Sequence, residues 1–204
     1  MSKKVFARNA GWLSDFRADL NRYEPASFSL AGNADGLPHP VLMVLTRREL
    51  WALLHYRLSH ALLQSETPVL ARRLALLAMA VLRRPIEICS GISLPASAVV
   101  GPGLRFAHPG LIVISGEAII GGNCLIAHGV TVGASAAGVP VIGDEVVINA
   151  NAVVAGDVHV GDGAVVSACS LVIRDVPAGA LARGVPAQNM ARSTRGAADE
   201  DLGA

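Results

Sequence analysis

From Ile92 to Val176 the apolar positions recur every sixth residue. Ile120, Ile126 and Val132, then Ile142, Ile148, Val154, Val160, Val166 and Val172 are all β-branched, with one step of ten between Val132 and Ile142. A Gly, Ala, Ser or Asn follows eight of these nine. Where the hexad is unbroken, the fourth residue after each is small or β-branched: Cys124, Val130, Val146, Ala152, Val158, Ala164, Ser170 and Val176. A helix has a period of about 3.6 and a half-buried strand a period of 2, so neither accounts for the spacing. A hexapeptide repeat does. Each hexad predicts one short strand and a turn, and three hexads predict a triangular coil. The β-branched residue points inward, and the small residue after it permits a tight corner. Coils then stack by parallel pairing at about 4.8 Å.

Residues 14–85 read differently. Ser14 is placed to cap a short helix, SDFRADLNRY, that Pro25 ends. Residues 26–40 read as a loop. Thr46 and Glu49 have the spacing of a capping box for a helix through Leu63, with Trp51, Leu54, Leu58 and Leu62 on one stripe. Pro68 opens a further helix, and Pro85 is expected to terminate it. The predicted organisation is a helical region over 1–90, a β-helix over 91–177 and a C-terminal loop and tail over 178–204. The fold class is an all-β parallel β-helix with an N-terminal α-helical region.

Composition sharpens this picture. Only 4% of the 204 residues are aromatic, against 21 glycines, as a narrow prism interior requires. Hydrophobic residues make up 52% and charged ones 16%, which excludes a disordered chain. Lys plus Arg is 17 and Asp plus Glu is 16, so the balance carries no electrostatic footprint for nucleic acid and no polybasic membrane patch. Cys89, Cys124 and Cys169 form no CxxC pair and read as reduced thiols, with Cys124 at an inward position. The N-terminus lacks an apolar signal core. The most apolar window, Pro68 to Pro85, is interrupted by Arg72, Arg73, Arg83 and Arg84, which makes it too short to span a bilayer. A cytoplasmic location is the expectation.

The repeat breaks twice. Two extra residues bulge near His108, Pro109 and Gly110, and four extra residues form a loop within GASAAGVP after Val132. Loops on a rigid scaffold are natural sites for binding groups. His108 lies two residues after the inward Phe106, and His128 two after the inward Ile126. Adjacent coils should therefore stack the two histidines on the outside of the prism, with Ala150 next in the column.

Hexads of this form resemble the left-handed parallel β-helix of hexapeptide acyltransferases. A helical region followed by PGLRFAHPGLIVISGEAIIGGNCLIAHGVTVG and DVPAGALARGVPA is similar to the serine acetyltransferase family, over roughly residues 14–190 and most sharply over 100–187. It also looks like the shorter members that acetylate capsule and exopolysaccharide sugars. The resemblance implies an acetyl-CoA-dependent O-acetyltransferase without a metal. His108 would act as general base on an acceptor hydroxyl. His128 either contacts acceptor or cofactor, or caps a turn. Gly133, Ala134 and Ala150 would line a pantetheine channel, followed by Gly184, Val185, Pro186 and Ala187, with Arg174, Arg183 and Arg192 available to a phosphate.

Departures bear on the acceptor. Where the family carries an acid that orients the base, Ser93 stands here, or its neighbour Ile92 depending on the gap. Where it carries Arg-His-Pro to hold an amino-acid substrate, Gly138-Val139-Pro140 stands here, so Val139 would face the acceptor uncharged. The family's N-terminal acceptor-binding Asp aligns with Glu24. The C-terminus, ADEDLGA, lacks the final Ile that docks into cysteine synthase, so no such complex is expected. These differences favour a sugar or other small alcohol over serine, with true serine O-acetylation and a non-catalytic scaffold as alternatives. A γ-class carbonic anhydrase shares the prism but needs three histidines, and only two stack here. The family assembles as homotrimers or dimers of trimers, which would cover the apolar outward faces.

Overall fold

The computed structural model describes residues 11–23 and 39–191. Helix α1 (Trp12–Asn21) begins after Gly11 rather than at Ser14; the Ser14 hydroxyl donates to Gly11 O at 2.7 Å from inside the first turn. Helix α2 (His39–Thr46) enters a stretch read as loop. Thr46 closes it by donating to Leu42 O (2.8 Å) and does not cap α3 (Arg48–Gln64), whose N-cap is Arg47. The hydroxyl is consumed by the preceding turn, a local competition that a capping-box spacing cannot reveal. His55 and His60 are half-buried and bond the backbone carbonyls of Met79 and Ala96.

Helix α4 (Val69–Ser90) runs through Pro85, contrary to expectation, and stops at Gly91, which is left-handed (φ 68°). Proline removes one helical hydrogen bond. Contacts of the last turn compensate: Ile86 packs on the core, Ser90 Oγ donates to Ile86 O (2.7 Å), and Glu87 binds Ser93.

A left-handed parallel β-helix of about five coils follows. Its first coils hold β1 (Ile92–Ser93), β2 (Val99–Val100), β3 (Arg105–Phe106), β4 (Ile112–Ile114), β5 (Ile119–Ile120), β6 (Leu125–Ile126) and β7 (Thr131–Gly133). The later coils hold β8 (Val141–Ile142), β9 (Val147–Ile148), β10 (Val153–Ala155), β11 (His159–Val160), β12 (Val165–Val166) and β13 (Leu171–Val172). A hairpin, β14 (Leu181–Gly184) and β15 (Ala187–Met190), ends the described chain. The faces are β1-β4-β7-β10-β13, β2-β5-β8-β11 and β3-β6-β9-β12-β14-β15. Repeat positions stack in register: Phe106 on Ile126, Ile148, Val166 and Ala182; Ile114 on Val132, Val154 and Val172. All of these are buried, as is Cys124.

The upper edges of β2 and β3 have no strand above them, and the helices satisfy them instead. Arg57, 3% exposed, donates to Val100 O (2.8 Å), Gly101 O (2.7 Å) and both oxygens of Asp19 (2.9 Å each). Asp19 accepts from Leu104 N (2.9 Å), and the Tyr23 hydroxyl accepts from Phe106 N (2.8 Å). The Tyr56 hydroxyl donates to Ala98 O and accepts from Val100 N; burial pushes this phenol up to about 12.

Candidate active site

Strand β3 ends at the buried Phe106, and Ala107 N still donates to Ile126 O (3.0 Å). The two extra residues then turn the chain outward. Gly110 (φ 123°) and the exposed Leu111 (φ 48°) bring it back to β4. The bulge rests on the end of α4: Ile112 N donates to Gly91 O (2.9 Å), and a Cβ on Gly91 would lie 2.8 Å from Gly110 Cα. Gly91 is thus required both by its positive φ and by this close approach.

The exposed rings of His108 and His128 stack with centroids 6.0 Å apart and planes tilted by 55°. Asn151 N donates to His128 O (3.0 Å), which holds the next coil in register. Carrying that register down, His108, His128, Ala150, Ala168 and Gly184 occupy one corner of the prism. Below the histidines the column carries only small side chains over some 15 Å, at about 4.8 Å per coil. It ends in the β14–β15 turn, where Gly184 N donates to Ser170 Oγ (3.1 Å) and the Val185–Pro186 peptide is cis. Ala187 pairs across from Gly184, and Arg183 is exposed on β14.

The remaining predicted site residues lie elsewhere. Gly133, Ala134 and Val139 stand at the far edge of the β4-β7-β10 face, and Arg174 follows in that second column. The 134–139 loop does not reach across. Ser135 and Gly138 bond each other, and Gly138 packs on Asp157 at its own corner. The two breaks are close in height along the prism, but one protomer does not bring them together. Glu24 and Arg192 lie outside the described residues.

Ser93 is not alone. Its hydroxyl donates to Glu87 Oε1 (2.8 Å) and accepts from Arg83 (3.3 Å), while Arg83 donates to Glu87 at 2.8 Å. Burial would raise the Glu87 carboxyl, but the bonds from Arg83 and Ser93 outweigh it and hold it below the usual range. Glu87 is not among the sequence candidates because Pro85 is expected to end the helix before it. Among the described residues no three His, Cys, Asp or Glu side chains gather as a metal site.

The hexad-built prism is that of a hexapeptide-repeat protein, and a family model for bacterial transferase hexapeptide repeats matches residues 140–174. The serine acetyltransferase of Helicobacter pylori (strain J99) is 34% identical over 145 residues, 69% of this chain and 80% of that protein. That of Synechococcus elongatus is 33% identical over 146 residues, 70% of this chain but only 57% of that protein. The crystal structure of Neisseria gonorrhoeae serine acetyltransferase in complex with serine matches with a TM-score of 0.70 and 30% identity, over 88% of this chain and 69% of that one. The chain belongs to the serine acetyltransferase-like hexapeptide-repeat family.

Proposed function

We propose that the protein is an acetyl-CoA-dependent O-acetyltransferase with His108 as general base. The stacked histidine pair at the head of a small-residue column carries this reading. His108 accepts the proton of the acceptor hydroxyl as the oxygen attacks the acetyl thioester, then returns it to the departing thiolate. Exposed backbone N–H groups of the bulge are candidates to stabilise the oxyanion. The co-substrate supplies an activated acetyl group. The column from Ala150 to Gly184 fits its narrow pantetheine arm, and Arg183 suits a phosphate.

The split between two corners supports a trimeric enzyme, in which the Gly133–Val139 corner and Arg174 of one copy would face the histidine corner of the next. A cytoplasmic location fits this chemistry; no helix among the described residues is long and apolar enough to cross a membrane.

Serine is the acceptor that the relatives' names support best, ahead of the sugar that the uncharged loop favours. Its carboxylate needs a cation. Arg105, exposed and three residues before His108, is one; its guanidinium lies 5.8 Å from the Tyr23 ring centre. The uncharged Gly138-Val139-Pro140 loop favours the second reading, a sugar or other neutral alcohol. Coenzyme A release with L-serine, homoserine and a panel of free and nucleotide-linked sugars separates the two. Absence of both turnover and coenzyme A binding would leave the scaffold reading.

A further inference from the structure

His108 heads the column, but the ring one coil below it stands nearer the path of the co-substrate. His128 lies between His108 and Ala150, so a pantetheine arm running up the column from Gly184 meets His128 first. Among the described residues its ring makes no hydrogen bond, so it caps no turn there. Its main chain is pinned on three sides. Ala127 N donates to Ile148 O (2.9 Å), Asn151 N to His128 O (3.0 Å), and Gly129 N to Gly110 O (3.1 Å). The last bond ties the His128 corner to the bulge that carries His108, so the two rings are held as a pair. A free ring on a fixed backbone suits a preorganised donor.

The spacing of the pair fits one reacting carbon. Attack on a thioester makes a tetrahedral centre with two oxygens, the acceptor's and the former carbonyl's. A base on the first and a donor on the second are separated by two hydrogen bonds of about 2.8 Å and two C–O bonds, a span of at most about 8 Å. The ring centroids stand 6.0 Å apart, within that reach.

The proton balance decides which role is left for His128. His108 takes the proton of the acceptor and returns it to the sulfur, so the transfer needs no second acid. What remains is the negative charge on the carbonyl oxygen, where a ring N–H from the co-substrate side can join the backbone donors of the bulge. We propose that His128 donates a ring N–H to the acetyl carbonyl oxygen and stabilises the oxyanion that forms there. The inference rests on the acetyl-transfer reading above. As the bond from acceptor oxygen to carbon forms, the carbonyl π pair moves onto oxygen, where His128 holds it. As that pair returns, the carbon–sulfur bond breaks, and sulfur leaves with its electrons and takes the proton from His108. The His128 proton is never transferred.

Coenzyme A release, with water, L-serine and the sugar panel as acceptors, tests this. The ring is exposed, so neither variant at 128 should unfold, and circular dichroism checks it. His128→Ala should lower kcat about 10²–10³-fold, as loss of one oxyanion donor does, with KM for acetyl-CoA unchanged. His128→Gln should recover most of that loss, because an amide N–H also donates. His108→Gln should stay as slow as His108→Ala, because an amide takes up no proton. Wild-type kcat in His128→Ala overturns the inference and leaves His108 in its role. So does a loss that falls on KM alone, which marks a binding contact. A His128→Gln variant as slow as His128→Ala overturns it too, because the ring would then be passing a proton. No release by wild type with any acceptor overturns the acetyl-transfer reading together with this one.

Discussion

Removing the Asp19 carboxylate tests how the helical region is fastened to the prism. In Asp19→Ala the Arg57 guanidinium stays buried, loses two bonds of 2.9 Å, and cannot shed its charge. Leu104 N loses its acceptor. Breaking a buried pair from one side costs about 3–5 kcal/mol, and stranding an N–H about 1–3 kcal/mol. A loss of about 4–8 kcal/mol is expected, a large part of the 5–15 kcal/mol typical of a folded domain. Arg57→Met should cost less. Burial already holds the Asp19 carboxyl above its ordinary value of 3.8 against the pull of Arg57, so without Arg57 it can take up a proton. The sign follows: a raised carboxyl binds its proton more tightly folded than unfolded, so Arg57→Met should gain stability as pH falls toward 3.8. Urea unfolding, followed by circular dichroism and by Trp12 and Trp51 fluorescence, measures each variant. A cost for Asp19→Ala below about 1 kcal/mol, or single costs that simply add in the double variant, would refute the buried-charge reasoning.

His108→Ala should reduce coenzyme A release by about 10²–10⁴-fold with an unchanged fold, as loss of a general base does; near-wild-type turnover would remove His108 from that role. If serine is the acceptor, Arg105→Met should raise KM for serine and leave KM for acetyl-CoA alone; steady-state kinetics decide it. Burial pushes the Cys124 thiol up to about 11, whereas Cys89 and Cys169 are exposed, so a thiol reagent at neutral pH should label two cysteines quickly and the third only on unfolding. Glu87 is held below its ordinary 4.5, so its contribution is present above that pH and is lost as pH falls through the lower folded value. Glu87→Gln should flatten that acid limb in a pH series of unfolding midpoints.

The prism was legible because its requirement is local and repeated. Every hexad needs an inward β-branched residue, which the chain supplies nine times, and a small corner residue, which follows eight of them. The histidine stack followed from the same counting, since Phe106 and Ile126 differ by one coil. Helix ends were less legible. Thr46 and Ser14 spend their hydroxyls on preceding carbonyls, and the helix continues through Pro85 because Ile86 just after it packs on the core, a tertiary contact that a helix-breaking rule does not weigh.

By itself, then, the sequence determined the repeat, the narrow core and the outward histidines, because each depends only on spacing along the chain. Tertiary structure alone decided which corner each break occupies, and so parted Gly133, Ala134, Val139 and Arg174 from His108. It also brought Glu87 to Ser93 and buried Asp19 against Arg57 on the open edge of the first coil. Each of these depends on where separate elements meet, and a period along one element says nothing about its neighbours.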